Sequence, residues 1–130
     1  MNPWQRAVED FHEKFECGKG RDPGLRDTEL RLDLIWEEVC ELFDAVDDDD
    51  IIEATDALAD IVYVILGAAV SWGIDLGPIF WEVHATNMKK EGGEINEVGR
   101  VMKPDQWKPP EILRLLREQG YEAHISRKAK

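Results

Sequence analysis

An all-α fold is what this chain of 130 residues predicts. Apolar residues recur at helical spacing, glycine and proline clusters cut the sequence into helix-length segments, and no run alternates with the two-residue period of a strand. Trp4, Val8, Phe11 and Phe15 trace one face of a first helix over Pro3 to Glu16. Cys17 to Gly24, with three glycines and a proline, reads as a loop. A second helix runs from Asp27, a residue suited to capping, to Val46, with an inward stripe of Leu30, Leu34, Ile35, Leu42 and Ala45. Asp47 to Asp50 form the connection. Four consecutive carboxylates cannot share one face, so this is a solvated turn without a catalytic role, whose charge favours the start of the next helix.

The third helix spans Ile51 to Trp72 and is closed by Gly73. Its second half is apolar nearly all round, which predicts a central position or a subunit interface, and hence a homodimer. Asp75 caps a fourth helix that carries Pro78 in its first turn and ends near Lys90. Gly92 to Trp107 follows no helical period, Pro109-Pro110 opens a short last helix, and the basic tail 120–130 is expected to be poorly ordered. The sum is one domain over 1–130, an antiparallel bundle of four or five helices with helices two to four as its core.

Composition narrows the function. The longest apolar stretch, Ile61 to Val70, is far short of the roughly 18 residues a bilayer span requires. No segment has the basic start and apolar run of a signal peptide. Cys17 and Cys40 stand apart without a C-x-x-C pattern, which argues against a disulfide scaffold or zinc site and fits a reducing cytoplasm. A net charge of −12 argues against nucleic acid as a partner, and with no spanning stretch no membrane partner is expected either. It would also repel a free nucleotide, so phosphate chemistry here requires a bound cation, assisted locally by Lys or Arg.

The residues that supply such a site are Glu37, Glu38 and Glu41 on the second helix and Asp56 and Asp60 on the third. At about 100° per residue the three glutamates occupy a sector of roughly 100° that overlaps the apolar stripe. Glu38 and Glu41 are thereby aimed at the core. Buried carboxylates need a compensating cation, and several hard oxygen ligands converging from two helices suit Mg²⁺, with Mn²⁺ as a substitute.

In these residues the chain resembles the MazG-like, all-α nucleoside triphosphate pyrophosphohydrolase superfamily, whose signature is E-E-x-x-E on one helix and E-x-x-D on the next. Glu82-Val-His-Ala-Thr-Asn87-Met-Lys-Lys90 and Lys103-Pro-Asp-Gln-Trp-Lys-Pro-Pro110 extend the likeness toward the branch of dimeric dUTP-hydrolysing and phosphoribosyl-ATP-pyrophosphatase-like proteins. The resemblance covers residues 8 to 113. One departure stands out: the family's second-helix glutamate falls on Ala57. Asp56, one turn before Asp60, could replace it on the same stripe; Glu53 is the next candidate.

The resemblance implies Mg²⁺-dependent hydrolysis of a (deoxy)nucleoside triphosphate to the monophosphate and pyrophosphate. It assigns Glu37, Glu38, Glu41 and Asp60 to metal, and Asn87 and Lys90 to the nucleotide. Lys103 is expected near phosphate, on a flap or subunit-crossing arm that Trp107 packs onto the body. Glu38, the most inward glutamate, is the expected proton acceptor. Two other readings remain: a phosphoribosyl-ATP pyrophosphatase using the same site, and a non-enzymatic helical dimer binding a partner through an acidic groove. His12 and His84 are expected to be packed histidines.

Overall fold

The computed structural model describes residues 1–122. Among them the chain is all-helical, with five helices in order: α1 (Pro3–Lys14), α2 (Thr28–Asp47), α3 (Ile51–Ser71), α4 (Leu76–Met88) and α5 (Ile112–Glu118). The only extended pairing among the described residues is an isolated antiparallel bridge between Ile95 and Val101, within the arm that joins α4 to α5. No single helix among the described residues is long and apolar enough to cross a membrane. The expectation of a poorly ordered tail bears mostly on 123–130, outside the described residues. Before that point Tyr121 still donates its amide to the Leu116 carbonyl.

Three of the five helix starts are capped by a side chain; α2 and the short α5 are not. The Asp50 carboxylate accepts from the amides of Ile52 and Glu53, so one member of the tetra-aspartate turn has a structural task. Asp75 Oδ1 accepts from Gly77, as expected of the α4 cap. Asp27 does not cap α2: it sits before the helix in the left-handed region, φ 48°, with no side-chain bond to the helix. An N-cap needs extended backbone to bring its oxygen back over the first turn, and Asp27 lacks it.

Helix α3 is the hub. It packs against α2 along most of its length and against α1 along its second half, while α4 packs mainly on α5. The core is therefore α1–α2–α3, which corrects the expectation that helices two to four form it. The reason is the joint at Gly73–Asp75, where the chain bends by 118° between α3 and α4. Gly73 adopts φ 67°, and a Cβ there would sit 2.5 Å from the Asp22 carbonyl oxygen, so only glycine fits. Ala45, Ala57, Ala68 and Ala69 line the inter-helix seams, which lets the backbones approach closely.

Two glutamines lock the joint. Gln5, 1% exposed, donates from Nε2 to the Ile74 carbonyl at 2.6 Å and accepts from the Leu76 amide at 2.9 Å. Gln119 accepts from the Asp75 amide at 2.8 Å and donates to its carbonyl at 2.9 Å. Helices α1 and α5 thus satisfy the backbone of a bend that neither α3 nor α4 can satisfy. Arg26 does the same for the preceding loop, donating to the carbonyls of Asp22, Gly24 and Ser71.

Candidate metal centre

The α2–α3 pair brings three of the five expected carboxylates together. Glu38 and Glu41 lie one turn apart on α2, and Asp60 faces them from α3. One oxygen from each lies within 4.8 Å of the other two. Glu38 and Asp60 are half-buried and Glu41 is exposed, so the inward aim predicted for Glu41 is only partly met. Oε2 of Glu38 is fully buried and has no hydrogen-bond partner among the described residues.

Crowding shows in the protonation equilibria. Glu38 is pushed up to about 7, first by its hydrogen bond with Glu41, then by loss of solvent and by the charges of Glu41 and Asp60. Asp60 is also raised, by desolvation and then by the charges of Asp56 and Glu41. No lysine, arginine or histidine forms an ion pair with any of the three among the described residues. A cluster of acids with an orphaned buried oxygen and no protein cation has the donor set of a hard divalent ion. Glu38, Glu41 and Asp60 are the residues that would hold it.

Glu41 and Asp60 line a cleft of about 230 Å³, together with Asp44 of α2, Asp48 and Asp50 of the α2–α3 turn, and Glu53, Asp56 and Ala57 of α3; Glu38 lies outside its lining. Asp56 is exposed there; its charge reaches Asp60, but it stands outside the three-carboxylate cluster. Glu37 is exposed and also outside it. Ala57, 3% exposed, lines the same cleft. A glutamate at that position, as the resemblance has it, would point at the acidic cluster.

One polar residue that the sequence reading passed over, Arg31, lies farther along the same seam. Arg31 and Gly67 are each seven residues, or about 10 Å of helix axis, from Glu38 and Asp60. Arg31 is 5% exposed, and its Nε is buried without a partner. His12, 4% exposed, is the packed histidine expected, with Nδ1 at 2.7 Å from the Gly18 carbonyl, which requires that nitrogen to donate. A Cβ on Gly67 would lie 3.2 Å from Arg31 Nη1 and 3.3 Å from His12 Nε2, so glycine makes room for both. The two-turn spacing from Glu38 was the available signal for Arg31: it puts the arginine on the stripe that faces α3.

The expected nucleotide contacts lie elsewhere. Asn87 is exposed on α4, Lys90 is half-buried just beyond it, and Lys103 is exposed on the arm. Both lysines gather on Trp107, whose Nε1–H donates to the Thr86 carbonyl at 2.7 Å and holds the arm on α4, as its packing role required. Because α4 turns away from the α2–α3 pair, these groups do not join the acidic cluster. His84 is exposed and meets the Trp81 ring edge-on at 5.6 Å, contrary to the expectation that it is packed.

The family model described as phosphoribosyl-ATP pyrophosphohydrolase matches residues 8–87. That stretch contains all five carboxylates and Asn87, but neither Lys90 nor Lys103. Over 61 residues the chain is 46% identical to an uncharacterized protein of Acanthamoeba polyphaga mimivirus, a match covering 45% of this chain and 24% of that protein. The chain thus spans about a quarter of the viral relative's length.

Proposed function

This chain belongs to the phosphoribosyl-ATP pyrophosphohydrolase family, and from that premise we propose that it is a Mg²⁺-dependent pyrophosphohydrolase, converting a (deoxy)nucleoside triphosphate to the monophosphate and pyrophosphate. The observation that carries the reading is the buried, unpartnered Glu38 Oε2 beside Glu41 and Asp60. Acids placed this way destabilise a fold unless a cation or a bound proton offsets them, and a family that cleaves phosphoanhydrides supplies the reason for the cation.

When bound, Mg²⁺ or Mn²⁺ supplies charge neutralisation for the phosphates and a lowered pKa for a coordinated water. The protein's own groups do the rest. Glu38, Glu41 and Asp60 would hold the ion, with Glu37 and Asp56 as outer carboxylates. Glu38, the most inward of the three glutamates, accepts the proton of the attacking water. Asn87 hydrogen-bonds the nucleotide, and Lys90 and Lys103 take its phosphates.

A second copy completes the site in this reading. Helix α4 carries Asn87 away from the acidic cleft of its own protomer, and Val62, Tyr63 and Ile65 of α3, with Phe80 and Trp81 of α4, leave large apolar side chains exposed. Four of these, Val62, Ile65, Phe80 and Trp81, line an open apolar groove of about 340 Å³ between α1, α3 and α4. Burying such a face against its symmetry mate is the ordinary solution for an isologous dimer. The cytoplasm, where Mg²⁺ and nucleotides are abundant, is the compartment this chemistry requires.

The test is pyrophosphate release from a panel of canonical and modified nucleoside triphosphates, and from phosphoribosyl-ATP, with Mg²⁺ and with EDTA. Metal-dependent release from at least one triphosphate is expected. Release from phosphoribosyl-ATP alone would select the second reading, which the family description favours by name. No metal-dependent release from any of them would leave a helical dimer that binds a partner through its acidic groove.

A further inference from the structure

Lys90 and Lys103 are separated by the whole hairpin of the arm, yet both ammonium groups stand over one indole. Nζ of Lys90 is 5.2 Å from the ring centroid of Trp107, and Nζ of Lys103 is 4.9 Å from it. The ring is held in place by the bond from Nε1 to the Thr86 carbonyl at 2.7 Å, on the last turn of α4. Trp107 is half-buried.

What neither lysine does is equally informative. The chain carries 28 acidic residues against 16 basic ones, and Glu91, Glu94 and Asp105 are close neighbours in sequence. Among the described residues, however, neither Lys90 nor Lys103 forms an ion pair. A carboxylate partner would neutralise an ammonium and occupy its N–H donors. An aromatic face attracts the same ammonium through its quadrupole, leaves the charge intact, and leaves the N–H groups on the far side free to donate. Two like charges drawn to one ring repel each other, and a polyanion lying across both relieves that repulsion.

We propose that Trp107 is a positioning residue that gathers Lys90 and Lys103 into a single two-cation cradle for a polyphosphate chain. The proposal rests on the assignment of those two lysines to the nucleotide phosphates and adds the residue that makes them one site. Pyrophosphate, or the β and γ groups of a triphosphate, is the ligand chemistry that two ammoniums sharing one ring accommodate.

The experiment uses the full chain and inorganic pyrophosphate in EDTA, so that the acidic cleft cannot contribute through metal. Calorimetry on the unaltered protein is compared with Trp107→Leu, Trp107→Phe, Lys90→Met, Lys103→Met, the double variant with both lysine changes, and the combination of Trp107→Leu with both lysine changes. Trp107→Leu should weaken pyrophosphate binding about tenfold, Trp107→Phe should restore most of it by keeping the ring face, and the triple variant should bind no more weakly than the double lysine variant. In turnover, Trp107→Leu should raise KM with little change in kcat. Pyrophosphate affinity unchanged in Trp107→Leu, or a Trp107 effect that adds in full to the lysine effects, would overturn the cradle. Trp107→Phe retains an aromatic ring, so it answers the question even if the leucine variant fails to fold. Saturable Mn²⁺ binding and triphosphate turnover by the unaltered protein report separately on the metal centre. A cradle that binds pyrophosphate in a protein without turnover would refute the enzymatic reading and leave this inference standing.

Discussion

Replacing Glu38 by glutamine removes one charge from the acidic cluster at almost constant size, and the consequences have opposite signs with and without metal. In the metal-free protein the folded pKa of Glu38, about 7, exceeds the ordinary glutamate value of 4.5. Between those values the folded chain keeps a proton that the unfolded chain has released, so stability falls as pH rises through this window. Below it Glu38 is protonated in both states and no cost remains; above it the full repulsion with Glu41 and Asp60 is present. Converting the whole difference gives a ceiling of about 3 kcal/mol. The three carboxylates share that cost and their cleft is open to water, which brings the expected gain for Glu38→Gln to about 1–2 kcal/mol. At about pH 8 in EDTA the variant should melt roughly 2–8 °C above the unaltered protein, and at about pH 4 the two should coincide. Millimolar Mn²⁺ should reverse the order, because only the complete carboxylate set gains the full stabilisation of a bound ion. Scanning calorimetry over a pH series, with and without Mn²⁺, checks each arm. A melting difference independent of pH, or a variant less stable than its parent at about pH 8 in EDTA, would show that Glu38 is held by favourable contacts rather than strained by repulsion.

Asp56→Asn should lower turnover less than Asp60→Asn does, since Asp56 acts from the rim of the cleft; adding Ala57→Glu should recover part of the loss, and equal rates for Asp56→Asn and the parent protein would remove Asp56 from the site. Asp48→Asn should leave turnover within about twofold, and a loss equal to that of Glu41→Gln would move the catalytic cluster toward the tetra-aspartate turn. Gln5→Ala strands a buried carbonyl and a buried amide, so urea titration should show a loss of about 2–3 kcal/mol; a loss under about 0.5 kcal/mol would mean that water replaces the glutamine. Phe80→Ser with Trp81→Ser should convert a dimer to a monomer in light scattering, and an unchanged mass would place the interface elsewhere.

The helices were legible because each is written in local signals: capping aspartates, Pro78 in a first turn, glycines at the ends, and an apolar period between. The acidic cluster was legible for the same reason, since Glu38 and Glu41 share a turn and the α2–α3 link is too short for anything but an antiparallel return. What sequence could not convey was the direction of α4. That depends on Gln5 and Gln119, two polar residues far from the joint along the chain, whose partners are backbone atoms and leave no pattern. Arg31 was overlooked because an arginine near a helix start reads as solvated until a glycine on the facing helix gives it space. Asp27 shows the converse: the right residue at the right position makes no cap when its backbone is left-handed.

The glutamine joint has a consequence for how the chain opens. The amides of Asp75 and Leu76 are protected by side chains that are 44 and 71 residues away in sequence. Fraying of α3 or α4 alone does not expose either amide, because the acceptor belongs in each case to another helix. In native-state hydrogen exchange Leu76 should therefore follow the detachment of α1 and Asp75 that of α5, each as a separate opening event. Two adjacent peptide groups would then report on opposite ends of the sequence. A difference between their exchange rates measures which terminal helix leaves first.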